Sequence, residues 1–267
     1  MATGPSVNNI TKEEWKYLKD KNTLAFAGFP FSLIKTKYYL SVEGKKVDKS
    51  FIDTIFLCRY LDTKLLLFTP SSIEHAIKRG FNVIPIQKGP GLAFNYRGWF
   101  MDEEKPPCEF KKCRAFNFNQ PLFKFRGQLS AAINAALVLG ATEIRLVGVD
   151  MNCMDHFYDN RERWSKDNIL DALYQQVAYI NDGSLERKQK LKPEMFKDFD
   201  PKKMHTTSIP YQKNGLWNNR ALRGMPDCIQ WMDQELRKEG LSGIYTTSKK
   251  SALYIENKLQ YKKISDP

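Results

Sequence analysis

The sequence predicts a doubly wound α/β fold on a parallel sheet, and three observations predict it. Strand-like and helix-like segments alternate at short spacing over residues 12–86, and strands separated by helices require the crossover connections of a parallel sheet. Lys64 to Phe68 (KLLLF) is an unbroken apolar run, as expected of a strand buried on both faces. A helical stripe from Arg126 to Gly140 leads into a strand-like run, Glu143 to Val149 (EIRLVGV), which stops at Asp150.

The elements follow in order. Thr11 and Glu14 have the spacing of a capping box, and Ile10 with Trp15 that of a hydrophobic staple, which predicts a helix over 12–20. Strands are expected at Thr23 to Gly28 (TLAFAG) and Lys37 to Glu43 (KYYLSVE). Ser50 and Asp53 read as a second capping box ahead of Ile52, Ile55, Phe56 and Leu61. The KLLLF strand is followed by a helix over 70–79, with Pro70 in its first turn and Gly80 past its end, and by a strand over 82–86.

Residues 87–125 break the rhythm with Gly89, Pro90, Gly91, Pro106, Pro107 and many aromatics. They read either as a long loop over the sheet or as a surface crossover whose aromatics pin it to the core. After the 126–140 helix and its strand, residues 151–224 lack clean periodicity apart from a helix near 166–180, and are expected to form a lid-like insertion. The pattern resumes with a helix opened by Pro226 and Asp227, a strand over 243–247 and a helix over 249–258. The whole chain, 1–267, is thus expected to be one Rossmann-like domain with helices on both faces.

Composition narrows the function classes. The 267 residues suffice for a sizeable core. No apolar run approaches a membrane span, and the opening MATGPSVNNI lacks the pattern of a secretory leader, so a cytoplasmic location is expected. The five cysteines show no CxxC and no accompanying histidines, as expected of reduced thiols rather than a zinc site. A net charge of +12 favours an anionic partner, although the lysines form only short clusters such as Lys45-Lys46 and Lys202-Lys203.

Two places carry chemistry on physical grounds. Gly4-Pro5-Ser6 is a turn in which Gly permits close approach, Pro fixes the bend, and backbone amides with a hydroxyl can meet a phosphate or ribose. Asp150 stands at the carboxyl end of a strand, where open α/β sheets bind ligands.

Three landmarks in this order, Gly4-Pro5-Ser6, the 126–150 unit ending in LVGVD, and a terminal helix-strand-helix carrying Ile244-Tyr245, resemble the bacterial transferases of CMP-activated nonulosonic acids. The likeness is above all to the sialyltransferases of glycosyltransferase family 42. It implies a metal-independent transfer of sialic acid, or of a Kdo-like acid, from CMP to a lipid-linked glycan, with no cofactor besides the CMP-sugar donor. It also implies residue roles. Tyr158, ten residues after Gly148, matches a tyrosine that stabilises the departing CMP; Asn152 stands at the other tyrosine position, and His156 is the substitute there. Gly28 and Glu43 occupy nucleotide-side positions held by asparagines in the family, beside Gly4, Pro5, Ser6 and Asp150. Arg126, with Gln128 and Ser130, lies near the position that recognises the sugar carboxylate, a task suited to a bidentate guanidinium. The family's basic histidine would fall near Gly224, which leaves His205 as the candidate general base. The positive charge would then face the anionic donor and, peripherally, the anionic inner membrane surface.

Two alternatives stand beside this one. A Gly-Pro-Ser turn with a strand ending in Gly-x-Asp is similar to that of archaeal-type pterin pyrophosphokinase-like proteins and related flagellin-modifying proteins, the former using ATP and a divalent ion. A basic nucleic-acid-binding module ranks last: it rests on net charge and the aromatic 87–125 segment alone, with no stacking or groove-insertion motif, so no nucleic-acid partner is expected.

Overall fold

A computed structural model of the chain describes residues 1–29, 35–41, 45–87, 109–125, 127–152, 156 and 224–266, the side chains of 45–47 excepted. It is an α/β structure whose paired strands are all parallel. β1 (Leu24–Phe26), β2 (Tyr38–Ser41), β3 (Lys64–Leu67) and β4 (Val83–Pro85) form one ladder in that order, with Leu24 opposite Tyr38 and Tyr38 opposite Lys64. β5 (Glu143–Leu146), β6 (Gly243–Thr246) and β7 (Gln260–Tyr261) form a second.

Residues 1–4 join the two ladders. On one side the Met1 amine donates to Leu24 O at 2.6 Å and Phe26 N donates to Met1 O at 3.3 Å. On the other, Ala2 N donates to Val147 O at 2.8 Å and Gly4 N to Gly148 O at 2.7 Å. These bonds step in the same chain direction on both sides, as between parallel neighbours. The hydrogen-bonded order is therefore β4, β3, β2, β1, residues 1–4, β5, β6, β7.

Strand alternation sends successive residues to opposite faces, and both faces are buried. Phe26, Leu40, Leu66 and Leu146 belong to one apolar cluster, while Ala25, Tyr39, Leu65, Leu67 and Val147 belong to another. Leu65, Leu66 and Leu67 are all 0% exposed, which is the KLLLF expectation met, and each contributes about 2 kcal/mol of burial. The first cluster is completed by α5 (Gln128–Val138) and α6 (Met225–Lys238), the second by α2 (Lys45–Leu57) and α3 (Pro70–Lys78).

α1 (Lys12–Lys19) opens with the expected capping box: Glu14 N donates to Thr11 Oγ1 and Thr11 N to Glu14 Oε2. α2 departs from expectation. Its backbone is helical from Lys45, so Ser50 and Asp53 lie inside the helix, where Thr54 Oγ1 donates to Ser50 O and Asp53 pairs with His75 and Arg79. Helix propensity and burial of Phe51, Ile52 and Ile55 carried the helix through a sequence that imitates its start. α6 is anchored to β6 by Asp233, whose Oδ1 accepts from Ile244 N at 2.6 Å and from Arg237 Nε at 3.1 Å.

The described part of the aromatic segment is pinned to the core. α4 (Phe110–Cys113) carries Phe110, which meets Trp231 edge-on at 5.3 Å and Phe123 at 5.4 Å. Buried Asn134 of α5 accepts from Ala115 N and Phe123 N and donates to Ala115 O, so the loop is fastened at both ends. Cys113 is disulfide-bonded, against the expectation of reduced thiols, whereas Cys58 and Cys228 keep their thiols. Cysteine spacing alone does not reveal which Cα atoms a fold brings within bonding range. The expected 249–258 helix is only α7 (Ala252–Ile255), followed by a turn that leads into β7. The lid expectation, with its helix near 166–180, lies outside the described residues. No helix among the described residues is long and apolar enough to cross a membrane.

Candidate functional site

The strand order turns at residues 1–4. On one side of them lie the strands that follow directly in sequence, β1 to β4; on the other lies β5, reached only after residue 142. Chain connections diverge from this point, and in open α/β sheets ligands bind at the carboxyl ends of strands that diverge in this way. Two segments leave the sheet there.

The first is Gly4-Pro5-Ser6, which runs into a 3₁₀ helix over Pro5–Asn9 rather than a bare turn. Pro5, at its first position, fixes φ and needs no donor. The second is Gly148 to Met151. Ser6 N donates to Asp150 Oδ2 at 2.8 Å, which ties the two together across 144 positions of sequence. The approach is so close that a Cβ on Gly4 would overlap Asp150 Oδ2 and stand 2.7 Å from Gly148 O. Gly148, at φ +70, would place a Cβ onto Ala2 O and 2.6 Å from Val7 Cγ2. Both glycines are thus required by space, and Gly148 also by its left-handed backbone.

Asp150 is 5% exposed. Its main-chain carbonyl accepts from Ala252 N at 2.8 Å and from Ser251 Oγ, which also bonds Val149 O. Its Oδ2 holds Ser6, and its Oδ1 is buried with no hydrogen-bond partner among the described residues. A buried carboxylate oxygen with no donor is costly, and a ligand hydroxyl, amine or cation would satisfy it. Met151 follows in the left-handed region at φ 61, a backbone cost for a non-glycine residue that turns the chain sharply beyond the carboxylate.

No family model, curated protein or solved structure matches this chain.

The other expected site residues fall as follows. His156 Nδ1 lies 3.0 Å from Thr3 Oγ1, which brings that histidine to the residue directly before Gly4-Pro5-Ser6. Asn152 Nδ2 donates to Lys250 O at 2.7 Å, fixing the post-strand loop against the approach to α7. Gly28 is buried just past the carboxyl end of β1. Gln128 and Ser130 begin α5 and are 7% and 0% exposed; Ser130 Oγ accepts from Phe125 N at 2.7 Å and donates to Phe125 O. The Ser130 hydroxyl thus braces the chain leading into the helix. Tyr158, His205, Arg126 and Glu43 lie outside the described residues.

Three contributors escaped the sequence reading: Thr3, Gly148 and Ser251. Gly148 carried a usable signal, since an isolated glycine in a strand pattern marks close backbone approach. Thr3 and Ser251 carried none, because their partners are 153 and about 100 residues away. Among the described residues no three His, Cys, Asp or Glu side chains group as metal ligands.

Proposed function

We propose that this protein is a glycosyltransferase that moves a nonulosonic acid, sialic or Kdo-like, from CMP to a glycan acceptor on a Rossmann-like, doubly wound domain. The observation that carries the reading is the interlock of Gly4-Pro5-Ser6 with Asp150 at the point where strand order turns. Amides of the Pro5–Asn9 segment and the Asp150 carboxylate would hold the nucleotide. His156 beside Thr3, with Tyr158, would offset charge on the departing phosphate. Arg126, with Gln128 nearby, would hold the sugar carboxylate.

In this reaction the acceptor hydroxyl oxygen forms the new bond to the anomeric carbon as the bond from that carbon to the CMP phosphate oxygen breaks. CMP leaves with the electron pair, and His205 takes the acceptor proton. No step calls for a metal. The excess of 42 Lys+Arg over 30 Asp+Glu favours both an anionic donor and a peripheral position at an anionic membrane face.

The unpartnered Asp150 Oδ1 favours a second reading, a pyrophosphokinase-like enzyme in which this carboxylate meets a divalent ion beside ATP. Isothermal titration against CMP, ATP, UDP and GDP, with and without magnesium, separates the two. Metal-independent, CMP-selective binding that weakens in Tyr158→Phe is expected. ATP binding that requires magnesium supports the second reading instead, and absence of nucleotide binding overturns both.

A further inference from the structure

α7 stands at the carboxyl end of the sheet and is fastened to the segment that carries Asp150. Ala252 N donates to Asp150 O at 2.8 Å, Ser251 Oγ to Val149 O at 2.7 Å, and Asn152 Nδ2 to Lys250 O at 2.7 Å. Ser251 also caps the helix by accepting from Leu253 N at 3.2 Å. Ala252 and Leu253 turn inward, 6% and 0% exposed, into the apolar cluster they share with α5 and α6. Four residues alone would not hold a helix; core packing and these bonds hold this one.

Its outer side is apolar. Tyr254 is 38% exposed and Ile255 62%, the most exposed large apolar side chain among the described residues. Single exposed apolar residues are ordinary, but these two adjoin a second ring and two lysines. Tyr254 meets Tyr261 edge-on at 6.1 Å, and Lys249 Nζ lies 5.0 Å from the centre of the Tyr261 ring. Residues 247–263 carry five lysines against one acid, Glu256. Lys258 is paired with Asp227 at 2.7 Å and Lys262 with Glu143 at 3.0 Å. Lys249 and Lys250, just ahead of the helix, are exposed and pair with no carboxylate among the described residues.

We propose that the outer side of α7, Tyr254 and Ile255 flanked by Lys249 and Lys250, is a docking surface for an anionic lipid bilayer. The aliphatic tip suits the acyl boundary, tyrosine rings suit headgroup depth with their hydroxyls in water, and the lysines suit anionic headgroups. Nucleic acid would call for open ring faces on which bases stack. Here the two rings stand at 73° to one another, Lys249 lies over one of them, and the most exposed side chain is aliphatic. The position gives docking a use. Because α7 is bonded to the main chain of Asp150, a bilayer against it lies at the end of the sheet that holds the candidate site, and a lipid-linked acceptor is presented there. That use rests on the transferase reading; the docking itself does not.

Co-sedimentation of the full chain with lipid vesicles, in the absence of nucleotide, tests the docking separately from that reading. Vesicles of phosphatidylcholine mixed with phosphatidylserine are expected to bind the chain more than about tenfold more tightly than phosphatidylcholine alone, since each lysine at the surface adds about fivefold. Lys249→Glu with Lys250→Glu should lower binding to the mixed vesicles by more than about tenfold. Lys16→Glu with Lys19→Glu, an equal change of charge on exposed residues of α1, should lower it by less than about threefold. Ile255→Asp should lower it by about tenfold. The replaced side chains are exposed, so urea midpoints should stay unchanged and certify each fold. Equal losses from the two lysine pairs overturn the proposal, because net charge alone then drives binding. Ile255→Asp without effect also overturns it, because nothing then enters the bilayer. Absence of binding to the mixed vesicles overturns it outright, and binding of a single-stranded oligonucleotide that is lost in the Lys249→Glu, Lys250→Glu variant would then assign the surface to nucleic acid.

Discussion

The two ends of the seam between residues 1–4 and β5 differ in what holds them. At the carboxyl end, Gly4 and Gly148 let two backbones approach until no Cβ fits, and Ser6 and Asp150 lock them with a hydrogen bond. At the amino end β1 and β5 stand apart around a gap of about 430 Å³, lined by apolar side chains together with Lys21, Glu143 and Arg145, with the Met1 amine at its edge. One end has its geometry set by backbone contact and polar bonding, which is how a site is held to within fractions of an ångström. The other depends on side-chain filling, which governs stability rather than placement.

The largest effect is expected at the open end and depends on pH. The Met1 amine, ordinarily near 8.0, is brought down to about 5 in the fold by burial. Between those values the unfolded chain binds a proton that the folded chain does not, so stability falls as pH drops from 8 to 5 and is level with respect to this group outside that window. At about 1.4 kcal/mol for each tenfold change in proton affinity, the loss is on the order of 4 kcal/mol. Urea unfolding at pH 5 and pH 8, of the chain and of a form carrying Gly-Ser-Gly-Ser ahead of Met1 so that the amine is moved into water, isolates it. The extended form should show a loss smaller by that amount, and equal pH dependence would place the amine in water.

At the closed end, Gly148→Ala should lower stability by about 3 kcal/mol, combining a left-handed backbone with overlap on Ala2 O. Gly80→Ala is its comparator. Gly80 has φ +85 but nothing within 4 Å of an added Cβ, so only the backbone cost of about 1 kcal/mol remains. Denaturation midpoints of the two variants measure the difference. Equal losses would mean that residues 1–4 yield, and that the seam is not rigid where the site lies.

The sequence made the local features legible and the seam illegible, for one reason. The Thr11–Glu14 box, the KLLLF strand and the stripe of α5 are written in residues three or four apart or in one run, where hydrogen-bond geometry and periodicity act directly. Ser50 and Asp53 mimicked a helix start because the box pattern does not exclude a helix already begun at Lys45. β7, two residues long, and α4, four, are too short to show a period. Asp150 could be placed from strand polarity alone, as could the general position of Gly4-Pro5-Ser6. Their interlock joins residues 144 apart, and the Thr3 contact to His156 joins residues 153 apart. No local pattern encodes such pairs.

The smallest stability change should come from Asp150→Asn, and it bears most directly on what the closed end does. An amide oxygen can take over from Oδ2 in accepting the Ser6 amide, so the loss should be about 1 kcal/mol, the difference between a charge-assisted and a neutral bond. The unpartnered Oδ1 is where charge matters. If it accepts from a ligand hydroxyl or amine, as the CMP-sugar reading has it, nucleotide affinity should fall by about tenfold without magnesium in the buffer, since one hydrogen bond is weakened. If it meets a cation, affinity for a magnesium-loaded nucleotide should fall by more than about a hundredfold, while metal-free binding changes little. Titrating the variant in both conditions, with the folded fraction fixed by its unfolding curve, assigns the carboxylate to one chemistry or the other. If affinity is unchanged in both, the interlock at this end serves only to hold the backbone, and the nucleotide lies elsewhere on the protein.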